Sequence, residues 1–166
     1  MNTGIKKAFL FGMAAVLIVH GLSGCDKKDE KEGGEEKAKT SLQELGETGL
    51  KGEVPAGANV GKALIGDGVM VQGPGLVATV EEASATRPEN LEGAKKDAEM
   101  YNPQNIETEE LGDGWAFSFE NTGSMGTNYF VWVRRKIGGK DWWCSTTGSE
   151  AAHKKNTLAF CKSLQQ

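Results

Sequence analysis

Histidine and cysteine, the side chains most used for metal binding and nucleophilic catalysis, are scarce in this sequence. Its 166 residues include two histidines and three cysteines. Only His153 lies beyond residue 25, and its neighbours Lys154 and Lys155 suggest a solvated helix face. A zinc site gathers several such ligands, and a catalytic triad needs a base beside its nucleophile. We therefore predict no metal site, no cofactor and no catalytic residues.

An excess of basic residues is also missing. The chain has 19 Lys and Arg against 23 Asp and Glu, which gives a formal charge of -4. Nucleic-acid-binding domains usually present a basic face, and attraction to anionic lipid needs clustered Lys and Arg. We therefore expect neither nucleic acid nor an anionic lipid surface as an electrostatic partner.

The sequence also shows no recognisable phosphate-binding loop and no catalytic acid–base pair. Gly66-Asp67-Gly68 lacks the spacing of a phosphate-binding loop. Carboxylates are plentiful, but those of Glu81-Glu82, Glu107 and Glu109-Glu110 fall at expected strand ends and loops, where such groups are usually solvated. The prediction is a non-enzymatic protein, and a minor carboxylate-based hydrolase is kept as an alternative.

A hydrophobic run long enough to cross a membrane is absent as well. Residues 8–19 are uncharged, but they fall short of the roughly 20 residues that a spanning helix needs. They follow Lys6 and Lys7, as the apolar segment of a secretory signal follows its basic start. Leu22-Ser23-Gly24-Cys25 then resembles the lipobox of bacterial lipoproteins. An ordinary secretory signal that happens to carry a cysteine is the alternative.

The lipobox resemblance implies how the chain is divided and where it resides. Residues 1–24 would be a signal peptide, and Cys25 would carry lipid, palmitate included, that anchors the protein to the cell membrane. The domain would face the periplasm or the exterior. Residues 26–39 alternate acidic and basic side chains and hold nothing that could join a core, so we expect a disordered tether with a span of roughly 20 Å. Residues 40–166 would form a single domain.

Turn sequences divide the domain into short strands and two helices. Strands are predicted at 60–65, 69–72, 76–81, 106–111, 115–119, 127–137 and 140–147, and helices at 89–101 and 149–164. Thr147 and Glu150 fit a capping box for the second helix. Tight turns between strands imply an antiparallel sheet. The longest strand carries apolar groups on both faces, so each face needs a helix over it. The predicted fold class is α+β, a twisted antiparallel sheet with a mid-chain and a C-terminal helix packed on it.

Aromatic residues concentrate on two neighbouring strands. The set is Tyr129, Trp132, Trp142 and Trp143. Adjacent residues of a strand point to opposite faces, so Trp142 and Trp143 cannot share one. Either helices cover both faces and every ring is core, or a tryptophan lines a groove for a ligand or partner. In the second case Arg134 or Arg135 would lie at the rim.

The remaining cysteines, Cys144 and Cys161, form an even pair in a chain expected to be exported. Disulfides persist in exported proteins. One cysteine lies late in a strand and the other on the apolar stripe of the following helix. We predict a structural disulfide, with two buried free thiols as the alternative. A redox-active pair is disfavoured because there is no Cys-x-x-Cys motif.

The layout of the domain resembles PsbP-like domains over roughly residues 48–165. The resemblance rests on an early Val54-Pro55-Ala56-Gly57 segment, a mid-chain helix, a Gly112-Asp113-Gly114 hairpin, and a Cys144-Ser145 strand that leads to a C-terminal helix. It implies a binding or assembly module rather than a catalyst.

The leading functional hypothesis is a membrane-anchored, non-enzymatic binding or assembly lipoprotein of the cell envelope, with an envelope protein as a possible partner. The alternative is a carrier of a small apolar ligand or lipid. A cavity lined by Trp132 or Trp143 would favour a carrier, and a flat aromatic patch would favour assembly.

Overall fold

The computed structural model describes residues 39–166. The predicted signal peptide, Cys25 and residues 26–38 of the predicted linker lie outside the described residues. The elements are β1 Thr40–Glu44, β2 Lys51–Pro55, β3 Asn59–Lys62, β4 Val69–Gly73, β5 Leu76–Glu82, α1 Leu91–Ala98, β6 Gln104–Leu111, β7 Gly114–Gly123, β8 Gly126–Ile137, β9 Lys140–Gly148 and α2 Ala151–Ser163. Short 3-10 turns lie at Gly46–Thr48 and Glu99–Tyr101.

Seven strands form one sheet in the order β3-β4-β5-β9-β8-β7-β6, and β1 pairs with β2 in a separate ribbon. Every pair is antiparallel. The contact between β5 and β9 joins two hairpin series, and these two strands are separated in sequence by α1 and three strands. This long-range pairing places the aromatic strands β8 and β9 at the centre of the sheet.

The two faces of the sheet follow from strand alternation along β8. Val131 and Val133 lie in the core beneath α2, whereas Phe130 belongs to the cluster beside α1, with Trp132 packed against it. Each face is thus covered by one helix, as the apolar character of both faces predicted. The predicted α+β class is confirmed.

Helix α1 begins at an asparagine cap and packs closely through small residues. The Asn90 side chain accepts a hydrogen bond from the Gly93 N–H at 2.9 Å, which satisfies one of the free amides of the first turn. Ala94 and Ala98 are fully buried against the aromatic residues of β7. Asn102, with φ of 51°, adopts the left-handed conformation that ends the 3-10 turn after α1.

Helix α2 is held on the opposite face by apolar contacts and a disulfide. Phe160 and Leu164 are buried with β2 and β5 residues in the larger core. Cys161 forms a disulfide with Cys144 of β9, with Cα atoms 5.7 Å apart. The predicted disulfide is confirmed. Gly52 of β2 lies beneath the ring of Phe160, where a Cβ would come within 2.7 Å of it.

The predicted capping box of α2 is wrong, and so is the predicted end of the strand that begins at Trp115. Thr147 pairs with Phe130 in the β8–β9 ladder, so its backbone is committed to a strand and cannot cap α2. That helix begins after Glu150, whose side chain makes no capping hydrogen bond. The segment 120–126, left between the predicted strands 115–119 and 127–137, is mostly strand, because β7 runs on to Gly123, which pairs with Gly126.

Other boundaries shift at the edge of the fold. β1 was not predicted, because its residues are mainly exposed and show no apolar alternation. β3 ends at Lys62 rather than Ile65, and Leu64 and Ile65 extend into solvent, 87% and 88% exposed. Among residues 39–166, no helix has the length and apolar character to cross a membrane.

Candidate ligand cleft beside helix α1

A group of aromatic rings lies on the α1 face of the sheet. Phe119 and Phe130 stack with centroids 4.5 Å apart and planes 3° from parallel. Trp132 meets Phe119 edge-on at 5.2 Å, and Tyr101, just after α1, lies 5.1 Å from Phe130. Such stacked and edge-on pairs add stability beyond the area they bury. The rings therefore form a rigid surface rather than a set of independent side chains.

Helix α1 covers only part of this face and leaves an open cleft beside it. The helix contacts β7, while the surface over β4, β5 and β9 remains accessible. The cleft measures about 530 Å³, within the size range of small-molecule sites. Its lining is Met70, Val77, Thr79, Thr86, Arg87, Pro88, Asp97, Met100, Tyr101, Phe130, Trp132, Trp143, Ser145, Thr146 and Thr147.

Hydroxyl groups lie beside the aromatic rings on the floor of the cleft. Ser145 of β9 is in register with Thr79 of β5 on one side and with Trp132 of β8 on the other. Thr147, two residues along β9, shares the face of Ser145 and is in register with Phe130. Side chains opposite each other in an antiparallel sheet are close neighbours. The floor therefore alternates hydroxyls with aromatic rings.

The segment before α1 forms one wall of the cleft and is fixed to the sheet by arginines. Arg87 donates two hydrogen bonds to Glu81, at 3.0 and 2.6 Å, and its guanidinium carbon lies 5.2 Å from the Trp143 ring. Arg134 of β8 donates to the main-chain oxygens of Arg87 and Pro88, at 3.4 and 3.0 Å. Arg134 does not line the cleft; it holds the wall in place.

The indole of Trp143, like the hydroxyl of Thr146, is a buried polar group without a hydrogen-bond partner in the described part of the chain. Its side chain is 1% exposed, and its Nε1–H finds no hydrogen-bond partner among residues 39–166. Trp115 and Trp142, by contrast, donate to the main-chain oxygens of Glu89 and Ile137. A buried donor without an acceptor is costly and uncommon.

The structure brings together two of the four aromatic residues singled out in the sequence. Trp132 and Trp143 both line the cleft. Trp142 lies on the opposite face, in the α2 core, and Tyr129 is a half-buried residue of β8 that shares the face of Val131. The predicted rim role of Arg135 is wrong: it pairs with Asp113 and donates to main-chain oxygens at the end of α2.

Several cleft residues were missed from the sequence. Met70, Arg87, Met100 and Tyr101 come from a strand, a loop and the end of α1, which meet only in the folded chain. Met100 is 80% exposed. The sequence around Met100 shows no pattern that would mark it as a cleft residue. The long β5–β9 pairing creates this neighbourhood, and no local pattern encodes it.

A second cleft lies around Trp142 on the other side of the sheet. It measures about 1100 Å³, and its lining includes the acidic residues Glu44, Glu47, Asp67, Glu81 and Glu82. Glu81 is paired with Arg87, and Glu82 with Lys140. The Lys140 ammonium lies 6.0 Å from the Trp142 ring. Across residues 39–166, no three His, Cys, Asp or Glu side chains are grouped so that they could hold a metal ion.

The charged side chains at the start of α2 form a structural ion-pair group. Lys154 lies 2.8 Å from Glu107 and 3.2 Å from Glu120. Burial alone would lower the pKa of Lys154, but the two carboxylates outweigh it and raise that pKa. The pKa of Glu120 is lowered by a hydrogen bond from Asn105 and further by Lys154, against the opposing effect of burial. The group therefore stays charged and joins α2 to β6 and β7.

The predicted solvated helix face is wrong for two of its three residues. Lys154 is buried and His153 is half-buried. The His153 ring packs against Gly148, where a Cβ would come within 2.8 Å of Nδ1. The prediction overlooked that the first turn of α2 folds back onto the end of β9.

No protein-family model matches this chain, and no curated protein matches it.

Proposed function

We propose that this protein is a membrane-anchored lipoprotein of the bacterial cell envelope whose domain binds a small ligand and does not catalyse a reaction. The observation that carries the proposal is the open cleft lined by both Trp132 and Trp143. Aromatic rings that line a concave, accessible surface next to a few polar groups are the usual composition of a ligand site. The resemblance to PsbP-like domains supports a binding role in the same sense.

Concavity favours a small ligand over a broad protein partner. A docking surface for a protein is usually flat and covers hundreds of square ångströms. Here the accessible aromatic surface is enclosed between α1 and the β4–β5 side of the sheet. Met100 and Tyr101 stand at the edge with partly exposed side chains. An assembly role would require a partner to insert a side chain into this cleft.

The anchor is proposed from Leu22-Ser23-Gly24-Cys25. Cleavage before Cys25 and acylation of that cysteine would leave the domain attached through residues 26–39. Several acyl chains, each contributing about 0.8 kcal/mol per buried CH2, hold a protein stably on a membrane. A tether of this length would let the cleft face ligands near the bilayer surface.

The anchor is tested by replacing its cysteine. Cys25→Ala should abolish incorporation of labelled palmitate and move the protein out of the membrane fraction after cell lysis. Ser23→Ala keeps a small residue in the lipobox and should leave both readouts unchanged. Palmitate incorporation that persists in Cys25→Ala would contradict the anchor.

The cleft is tested by photocrosslinking on native membranes. A benzophenone amino acid is placed at Met100, which lines the cleft, and in a matched protein at Met125, which is fully exposed in the β7–β8 turn and away from it. Small-molecule adducts at position 100 but not at 125, identified by mass spectrometry, would support the ligand site. A stoichiometric protein crosslinked at position 100 would instead replace this proposal by an assembly role.

A further inference from the structure

We infer that the ligand of the α1-face cleft is an uncharged carbohydrate, bound through stacking on tryptophan and hydrogen bonds to the sheet hydroxyls. The inference rests on the proposed ligand-binding function and adds the chemical class of the ligand. It is carried by the composition of the floor and the charge balance of the walls.

The floor offers two kinds of contact side by side. Trp132 supplies an aromatic surface, and Ser145 lies directly opposite it in the β8–β9 register. Thr79 and Thr147 extend the hydroxyls on either side of Ser145. A pyranose ring has one face of C–H groups, which packs on the electron-rich face of an indole. Its edge carries hydroxyls that both donate and accept, as the hydroxyls of serine and threonine do.

The composition of the walls argues against a lipid chain. An alkyl chain is best bound in an enclosed apolar cavity, because a buried hydroxyl without a partner costs free energy. This cleft is open and has three hydroxyl side chains along its floor: Thr79, Ser145 and Thr147. A polyhydroxylated ligand would satisfy such groups, whereas a lipid would leave them unpaired.

The charge balance argues against an anionic ligand. Arg87 is the cation of the described lining and Asp97 its carboxylate. The guanidinium of Arg87 is already bound to Glu81 at 2.6 Å, so little of its charge is free for a phosphate or carboxylate. The walls therefore match a neutral ligand.

Trp132 supplies the accessible ring of the cleft. It is half-buried, whereas Trp143 is 1% exposed and its Nε1 is closed to solvent. Stacking against a sugar ring is therefore assigned to Trp132. Trp142 belongs to the α2 core and donates to Ile137, so it serves as the control for mutagenesis.

The test uses the full lipidated protein in phosphatidylcholine nanodiscs and three neutral trisaccharides as probes: the N-acetylglucosamine trimer, cellotriose and maltotriose. Binding is measured by isothermal titration calorimetry and by ligand-observed saturation-transfer NMR. At least one probe should bind with a Kd of about 0.1–1 mM, the range expected for a shallow site. Trp132→Leu removes the stacking ring and should weaken binding about 5–10-fold, the effect of one aromatic contact. Trp142→Phe should leave binding unchanged.

A second variant separates binding from folding. Ser145→Ala removes one hydroxyl from the floor with little change in volume, and it should also weaken binding several-fold while the thermal midpoint stays close to that of the unmodified protein. Equal loss in Trp142→Phe and Trp132→Leu would show a general packing effect and overturn the assignment.

The inference is also overturned if none of the three probes binds at about 10 mM, well above the affinity expected for this site. If position 100 then still yields a small-molecule adduct on native membranes, the ligand site stands and only its chemical class is wrong. If neither experiment detects a ligand, the proposed function fails with it.

Discussion

Trp142 and Trp143 are neighbours in sequence whose rings lie in two different cores. Trp143 packs with the aromatic residues beside α1, and Trp142 with the aliphatic residues beneath α2. Strand alternation requires this separation. The two residues also line different clefts. Trp143 lines the α1-face cleft, and Trp142 lines the second cleft, whose lining includes five acidic residues.

Arg134 should stabilise the wall of the α1-face cleft, although its side chain does not line the cleft. Arg134→Gln removes the donors to the main-chain oxygens of Arg87 and Pro88 and should lower the free energy of unfolding by about 1–2 kcal/mol. Hydrogen exchange of residues 84–90 should become faster. Lys136→Gln, an exposed change on the same strand, is the control. Unchanged exchange in Arg134→Gln would show that the wall does not depend on this side chain.

The disulfide should supply a large share of the stability of the domain. Cys144 and Cys161 are 17 residues apart, and a loop of this size contributes about 3 kcal/mol by limiting the unfolded chain. Replacing both cysteines by alanine should lower the midpoint of urea unfolding accordingly. Addition of a reductant should shift the unmodified protein in the same direction and leave the double variant unaffected. A midpoint insensitive to reductant would contradict the prediction.

The glycines on either side of Asp113 should respond very differently to substitution. A Cβ at Gly114 would collide with the main-chain oxygen of Arg134, whereas one at Gly112 meets nothing within 4 Å. Gly114→Ala should therefore disrupt the β7–β8 pairing and cost at least about 2 kcal/mol. Gly112→Ala is the matched control and should change stability by less than about 0.5 kcal/mol. Thermal unfolding of the two variants measures the difference.

Lys154 should give the domain a pH dependence with a defined sign. The pKa of Glu120 is lowered on folding, so its ionised form stabilises the domain above about 4.5, and this contribution is lost as the pH falls further. The pKa of Lys154 is raised, so its contribution is present below 10.5 and is lost as the pH rises above that value.

The variant Lys154→Met should reduce both effects. It keeps the buried stem but removes the ammonium, so unfolding free energy between pH 3 and 6 should depend less steeply on pH, with a loss of about 1 kcal/mol at neutral pH. Lys96→Met removes the charge of an exposed lysine of α1 and serves as the comparison. An unchanged slope in Lys154→Met would show that the ion pairs contribute nothing to the acid sensitivity.

The sequence predicted the elements that carry strong local signals. The strand-forming segments around Trp115–Phe119, 127–137 and 140–147, the two helices and the disulfide are all present in the structure. Tight Gly-containing turns and the period-two pattern of apolar residues encode these features over short distances. β1 was missed because an exposed strand shows no such pattern, and the α2 cap was misplaced because Thr147 is held by cross-strand pairing.

The candidate site could likewise be predicted only in part from the sequence. Alternation along β8 and β9 determined that Trp142 and Trp143 face opposite sides and that both faces need cover. Only the tertiary structure decided that Trp143 and Trp132 line a cleft. This depends on where α1 ends and on the pairing of β9 with β5, whose partners are 60 to 66 residues apart in sequence. Local side-chain patterns specify which face a residue occupies; the space above that face is determined by elements distant in sequence, whose packing is a property of the whole chain.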